Sequence, residues 1–358
     1  MVTMGVEEEF LLADAGTGAA APVAEEVLRA ASNDVVRREL RPTQIEVATG
    51  VCHTAGALAA ELSAGRELVA KAAATAGAVP LATGTPGGWS LPSHPARGRA
   101  RTITERYRGV VGDYEACGCH VHVGVPGKET AVAVLNHVGP WLPSLLALSV
   151  NSPFHNGLDT GYGSWRMVQQ SRFPGSGIAP WFSGHQAYER EVSRLVDCGV
   201  LVDADMSFWL LRLSGKFPTV EFRTADTAGT AGEALLQALL CRALVTRALA
   251  ELDAGREARP CSPQVAAAAV WAAARYGLAG EGVDVRAARP KPAGVLVAEL
   301  LAEVAPALEE HGDLPLVHQL VEWVWHHGTG ADRQRERGLT GAWRLMRVKG
   351  HEPGTPPA

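Results

Sequence analysis

Apolar and polar positions alternate with a period of two at the start of the chain. Glu7 and Glu9 point to one side of an extended segment and Glu8 to the other, within an apolar frame of Val2, Val6, Phe10, Leu11 and Leu12. The same period returns at 117–125, where His120 and His122 share one face and Val121 and Val123 the other. It returns again at 219–227, where Thr219, Glu221 and Arg223 share a face. Extended character is also predicted at 37–47, around Leu40, Ile45 and Val47, and at 79–85 and 207–213. Helical spacing is predicted at 23–31, at 54–76 with Leu58, Leu62 and Val69 in phase, at 131–149 with an interruption at Pro140 and Pro143, and at 188–201. From Gly232 onward helices dominate, at 233–252, 264–276, 294–310 and 314–325, with glycine and proline turns at 260–263, 277–282 and 289–292. Loops are expected at 13–22, 86–101 and 173–182.

A chain of 358 residues with 47% hydrophobic and 20% charged positions can bury a sizeable core, as one large domain or two ordinary ones. The net charge of -5 gives no general basic surface, which argues against nucleic acid as the main partner. There is no unbroken run of 18 apolar residues and no export-signal pattern, so no membrane partner is expected and the reading is soluble and cytoplasmic. The six cysteines, Cys52, Cys117, Cys119, Cys198, Cys241 and Cys261, read as dispersed, reduced and buried thiols. A zinc site from Cys117, Cys119, His120 and His122 is disfavoured, because four ligands within six residues cannot readily surround one tetrahedral ion.

The strand clusters carry the candidate chemistry. Two like charges on one strand face repel, and a divalent cation between Glu7 and Glu9 is the natural partner. Glu46, on the second extended segment, is either a third carboxylate of that site or a solvent-facing glutamate. His120 and His122 form a line of ligands or phosphate partners. Glu221 and Arg223 set a cation ligand beside an anion-binding guanidinium, or else form a same-face salt bridge. The stretch 159–166 ends in Arg166, which suits bidentate capture of a carboxylate, while its glycines and Asp159 equally describe a capped turn. Arg97, Arg99 and Arg101 meet phosphates or water. Residues 328–335 contact a nucleotide or cap a helix, with the spacing favouring the cap; Arg333 and Arg335 are the candidates for cofactor binding.

Taken together, Gly5-Val6-Glu7-Glu8-Glu9-Phe10, the Gly-x-His-Val-His-Val-Gly-Val run at 118–125, Asn-Ser-Pro-Phe at 151–154, Asp-Thr-Gly-Tyr-Gly-Ser-Trp-Arg at 159–166 and Thr-Val-Glu-Phe-Arg-Thr-Ala-Asp-Thr at 219–227 resemble the glutamate-cysteine ligase type 2 family. Trp-Ala-Ala-Ala-Arg-Tyr-Gly-Leu at 271–278 and Arg-Gln-Arg at 333–335 extend the likeness over nearly the whole chain. The resemblance implies an α+β fold of the glutamine synthetase type: a curved, largely antiparallel sheet holding ATP and Mg2+, with helices packed on its convex face. It implies one catalytic domain over 1–350, followed by a disordered tail over 351–358. It implies an ATP-dependent carboxylate–amine ligase that forms an amide through an acyl phosphate, from small-molecule substrates such as glutamate and cysteine or a related pair. By the same resemblance Glu7, Glu9, Glu46, His120 and Glu221 map to cation ligands. Arg223 maps to the transferred phosphoryl group, and Arg166 to substrate or phosphate. The loops at 86–101 and 173–180 diverge from the family, so the chemistry carries over further than the substrate pair does. A guanidino-type phosphotransferase and a non-catalytic binder on the same fold are the alternatives, and homo-oligomerisation is left open.

Overall fold

The computed structural model describes residues 2–88 and 98–348. Its strands are β1 (Met4–Asp14), β2 (Val36–Arg38), β3 (Gln44–Ala48), β4 (Ala78–Leu81), β5 (Gly118–Gly124), β6 (Phe154–His155), β7 (Leu158–Asp159), β8 (Leu211–Leu213), β9 (Thr219–Asp226), β10 (Glu281–Asp284) and β11 (Arg289–Pro292). Its helices are α1 (Ala24–Ala31), α2 (Ala55–Thr75), α3 (Gly98–Tyr107), α4 (Gly109–Gly112), α5 (Lys128–Val138), α6 (Leu142–Ser149), α7 (Trp165–Ser171), α8 (His185–Asp197), α9 (Ala231–Asp253), α10 (Pro263–Tyr276), α11 (Ala293–His311), α12 (Leu314–His327) and α13 (Gly330–Leu345).

β1 is the spine of the main sheet. The strand order is β2-β3-β1-β5-β9-β8, with β4 beside the C-terminal half of β1, and each of these pairings is antiparallel. The alternation along β1 divides its side chains as expected. Met4 and Val6 join Val121, Val123, Val220 and Phe222 in a core shared with Leu58, Leu62, Leu145, Leu235 and Leu239 of the helices. Glu8 faces the same side, where the fully buried Arg66 of α2 takes its carboxylate through Nε at 3.0 Å and Nη2 at 2.6 Å. α9 is buried on nearly all sides because the sheet, α2, α5 and α11 enclose it. The one described stretch apolar and long enough to cross a bilayer, Lys128–Ser149, has 78% of its most apolar window buried inside the protein, as a core element does.

Several expected elements form differently. The extended segment at 37–47 folds into two strands, β2 and β3, in register Val36↔Val47, because Pro42 cannot continue a ladder and turns the chain back. The glycine and proline segments at 277–282 and 289–292 contribute to the β10–β11 ribbon, in register Glu281↔Pro292. The expected loop at 86–101 gives way to α3 from Gly98, and its residues 89–97 lie outside the described residues, as does the expected tail at 351–358. The segment at 207–213 becomes a strand only from Leu211. All six cysteines are free; Cys52, Cys117, Cys119 and Cys241 are buried as expected, whereas Cys198 is exposed at the end of α8.

Candidate active site

Register across the sheet gathers the charged residues. Directly opposed residues share a face, and the ladder sets Arg37 opposite Glu46 and Glu46 opposite Glu9. It sets Glu7 opposite His120, and places Glu221 between His122 and Arg212. These side chains lie on the face turned away from α2 and α9 and line a cleft of about 650 Å³.

Two compact groups result. Glu7, His122 and Glu221 bring one ligand atom each within 4.8 Å of one another, and so do Glu9, Glu39 and Glu46. Four of the five expected cation ligands therefore converge. His120 lies outside both groups, with Nδ1 3.8 Å from Glu9, and His122 joins Glu7 and Glu221. A bulge shifts the ladder beside them: between Cys119 and Val121 the register jumps from Ala225 to Phe222, so β9 carries one extra residue there. His122 is thereby opposed to Glu221, while His120 falls beside Arg223, with Nδ1 3.4 Å from Nη1. Burial, reinforced by Arg223, holds the His120 imidazole well below its ordinary pKa, so it is neutral, and its Nε2 is buried without a hydrogen-bond partner among the described residues. Glu39 escaped the sequence reading. The signal for it was Pro42, which folds 36–48 on itself and returns Glu39 toward Glu46.

The electrostatics differ between the groups. Burial, with the charge of Glu39, pushes the Glu9 carboxyl up to about 8. Burial, with Glu7 and Glu9, pushes Glu46 up to about 8 as well. Three carboxylates crowded here are short of positive charge, and Arg37 offers only long contacts of 3.6 Å to Glu7 and Glu46. Burial alone would raise Glu7, but hydrogen bonding to His122 holds it below its usual value. Burial likewise opposes ionisation of Glu221, yet Arg223 and Arg212 hold it well below the carboxylate range. Arg212 forks onto Glu221 at 2.8 and 3.1 Å, and Arg223 reaches it at 2.5 Å. Arg212 is a further site residue that the sequence reading passed over; its place opposite Glu221 depends on the β8–β9 pairing alone.

A second layer holds the arginines. Asp226, fully buried, accepts hydrogen bonds from the backbone N–H of Asn151 at 2.8 Å and from the hydroxyls of Ser152 and Ser164, both at 2.7 Å. Ser164 also caps α7, the helix that carries Arg166. The Arg166 guanidinium lies 3.9 Å from Asp226 and donates to the Arg223 carbonyl at 3.1 Å. Both Arg166 and Arg223 line the cleft. The motifs at 151–154 and 159–166 thus act as supports for one buried cation.

Arg333 and Arg335 are not brought to the cleft. Thr329 and Asp332 form a capping box at the start of α13, as the spacing favoured. Arg333 is held by Glu233 at 2.8 Å and Arg335 by Asp159 at 2.9 Å, so both guanidinium charges are taken up within the protein. Gln334 between them ties the helix to Asn151, donating to its side-chain oxygen at 2.7 Å. Of the loop arginines, Arg99 pairs with Asp203 and Arg101 with Glu105; Arg97 lies outside the described residues.

Solved structures share this fold. The fold is shared with glutamate–cysteine ligase of Francisella tularensis in complex with AMP, with a TM-score of 0.69 at 13% identity over 96% of this chain and 87% of that one. It is shared more distantly with the ligase PafA in complex with the ubiquitin-like protein Pup, with a TM-score of 0.53 at 11% identity over 94% and 67% of the two chains. In sequence, residues 3–344 match the model of glutamate-cysteine ligase family 2. A Saccharopolyspora erythraea protein provisionally named glutamate–cysteine ligase 2-2 is 53% identical over 96% of this chain and 90% of its own length. A similarly named Salinispora tropica protein is 42% identical over 93% and 89%. The chain belongs to glutamate-cysteine ligase family 2 and is a carbon–nitrogen ligase.

Proposed function

We propose that the chain joins a carboxylate to an amine at the expense of ATP, through an acyl phosphate, with Glu7, Glu9, Glu39, Glu46, His122 and Glu221 as cation ligands. The observation that carries this reading is the pair of three-residue groups on one sheet face, flanked by Arg223 and Arg166. The donor set fits Mg2+: five of the six ligands are hard carboxylate oxygens. Two of those carboxyls, Glu9 and Glu46, are held at about 8 by burial and by their neighbours, a penalty that an added positive charge relieves. The Nε2 of His122 lies 3.5 Å from the Glu7 carboxylate, among the oxygens of its group. Divalent cations bound there would neutralise the nucleotide and align the phosphoryl group with the carboxylate that receives it.

The chain's own residues do the rest. Arg223, oriented by Glu221, lies where it can offset charge on the γ-phosphoryl group as it passes from ADP to the carboxylate oxygen. Arg166, fixed by Asp226 and the Arg223 carbonyl, supplies a buried guanidinium for the substrate carboxylate or phosphate. Neutral His120 remains a hydrogen-bonding group between them. The amine then attacks the acyl carbon and phosphate leaves, and exclusion of water protects the acyl phosphate. ATP as the phosphoryl donor is supported by the AMP complex of the Francisella tularensis neighbour, and glutamate with cysteine by the names of the relatives. A reaction that consumes ATP also favours a cytoplasmic site of action. The test is incubation with ATP, Mg2+ and a panel of carboxylates and amines. Amine-dependent release of ADP and phosphate supports the reading; phosphate retained on a product, or no turnover with any pair, overturns it.

A further inference from the structure

The cleft has two unlike walls. Beside the acidic sheet face, the same cavity is lined by Leu40, Ile103, Val111, Phe173, Met206 and Phe208. These come from the β2–β3 turn, α3, α4, the loop after α7 and the segment leading into β8, and they pack as a hydrophobic cluster separate from the main core. Phe173 and Phe208 stack with centroids 4.4 Å apart and planes at 12°. Tyr107 and Tyr114 meet Phe173 edge-on at 5.2 and 5.0 Å. Aromatic rings thus back part of this wall.

Several charged groups near it are engaged elsewhere. Arg99 is forked onto Asp203 at 2.6 and 2.9 Å. Arg41 donates to the backbone carbonyls of Tyr114 at 3.2 Å and Gly112 at 3.0 Å, and Glu115 accepts the Thr43 hydroxyl. Tyr114 marks the junction: its ring is on Phe173, while its hydroxyl feels Arg166, Glu9 and Arg223.

We infer that this wall receives the side chain of one of the two substrates, and that this side chain is apolar, an aliphatic, thioether or aromatic group in preference to a charged or short polar one. The inference rests on the ligase reading for the presence of a carboxylate and an amine, but its chemistry comes from the wall. An apolar chain removed from water against it gains about 0.8 kcal/mol per methylene, close to 4-fold in affinity. A polar chain of the same length would lose its water against these side chains without an apolar gain to offset it.

The experiment uses alanine, 2-aminobutyrate, norvaline and norleucine, with glutamine and lysine as longer polar comparisons. Each is offered once as the amine and once as the carboxylate, with MgATP and the best partner from the panel. ADP release gives kcat/KM, and calorimetry with a non-hydrolysable ATP analogue gives binding independently of turnover. The expected result is a rise of about 4-fold per methylene in one of the two arms, with glutamine at least 10-fold below norvaline; the arm that shows it identifies the substrate. Leu40→Asn, at a half-buried position, and Met206→Asn should flatten the series, each checked for fold by circular dichroism. A flat series, or one led by the polar chains, overturns the inference even if ligation occurs. Absence of turnover in both arms overturns the ligase reading instead, and the calorimetric series still decides this one.

Discussion

Replacing Glu8 with glutamine should unfold the protein more easily, whereas the same change at Glu7 or Glu9 should spare the fold and remove the chemistry. The three residues are consecutive, and only strand alternation separates them. Glu8 meets Arg66 through two hydrogen bonds, at 3.0 and 2.6 Å, with side chains 4% and 1% exposed. Taking the charge from one partner of such a pair leaves the other uncompensated in the core, at a cost of about 3–5 kcal/mol. For a chain of this size that is a melting temperature lower by roughly 4–7 °C. Glu9 sits among like charges, so Glu9→Gln should leave the metal-free protein as stable as its parent or slightly more so. The parent should gain about 2.7 kcal/mol from MgATP at a hundred times its dissociation constant, and Glu9→Gln much less. Thermal melts of the parent, Glu7→Gln, Glu8→Gln and Glu9→Gln, with and without MgATP, read both effects. If Glu8→Gln melts with the parent, or Glu9→Gln melts far below it, the assignment of faces along β1 is wrong.

The remaining predictions follow from the site. Glu9 and Glu46, pushed up to about 8 from an ordinary 4.5, keep protons in the folded protein that the unfolded chain has already released. Their contribution to metal-free stability is therefore present below pH 4.5 and lost as the pH rises through 8. In urea melts with EDTA at pH 5.5 and 8.5, Glu46→Gln should lose less stability than the parent over that interval; an equal loss would show that Glu46 is not so perturbed. Mg2+ binding should tighten over the same interval and release protons, measurable by calorimetry in buffers of different ionisation enthalpy. Arg223→Ala should lower kcat by about 10³-fold or more while Mg2+ binding persists, whereas wild-type turnover would remove Arg223 from the phosphoryl site. Arg335→Ala, which breaks a partly exposed pair with Asp159, should change stability by at most about 1 kcal/mol and leave the KM for ATP unchanged. A large rise in that KM would restore Arg335 to the nucleotide.

The sequence by itself determined whatever depends on local backbone geometry. A period of two placed Glu7 and Glu9 on one face and Glu8 on the other, helical spacing located α2 and the C-terminal helices, and the interval from Thr329 to Asp332 marked a cap. Motif order was enough to indicate the family and an α+β ligase fold. Only the tertiary structure decided which of these groups meet. One extra residue in β9 set Glu221 in place of Phe222 opposite His122, the turn at Pro42 returned Glu39 to Glu46, and the β8–β9 ladder supplied Arg212. The same holds for Arg333 and Arg335, whose carboxylate partners lie 100 and 176 residues away in the chain. A strand's period is fixed by its own φ and ψ, whereas its neighbour is chosen by register across distant segments, and one residue of slip there changes every partner without altering the local pattern.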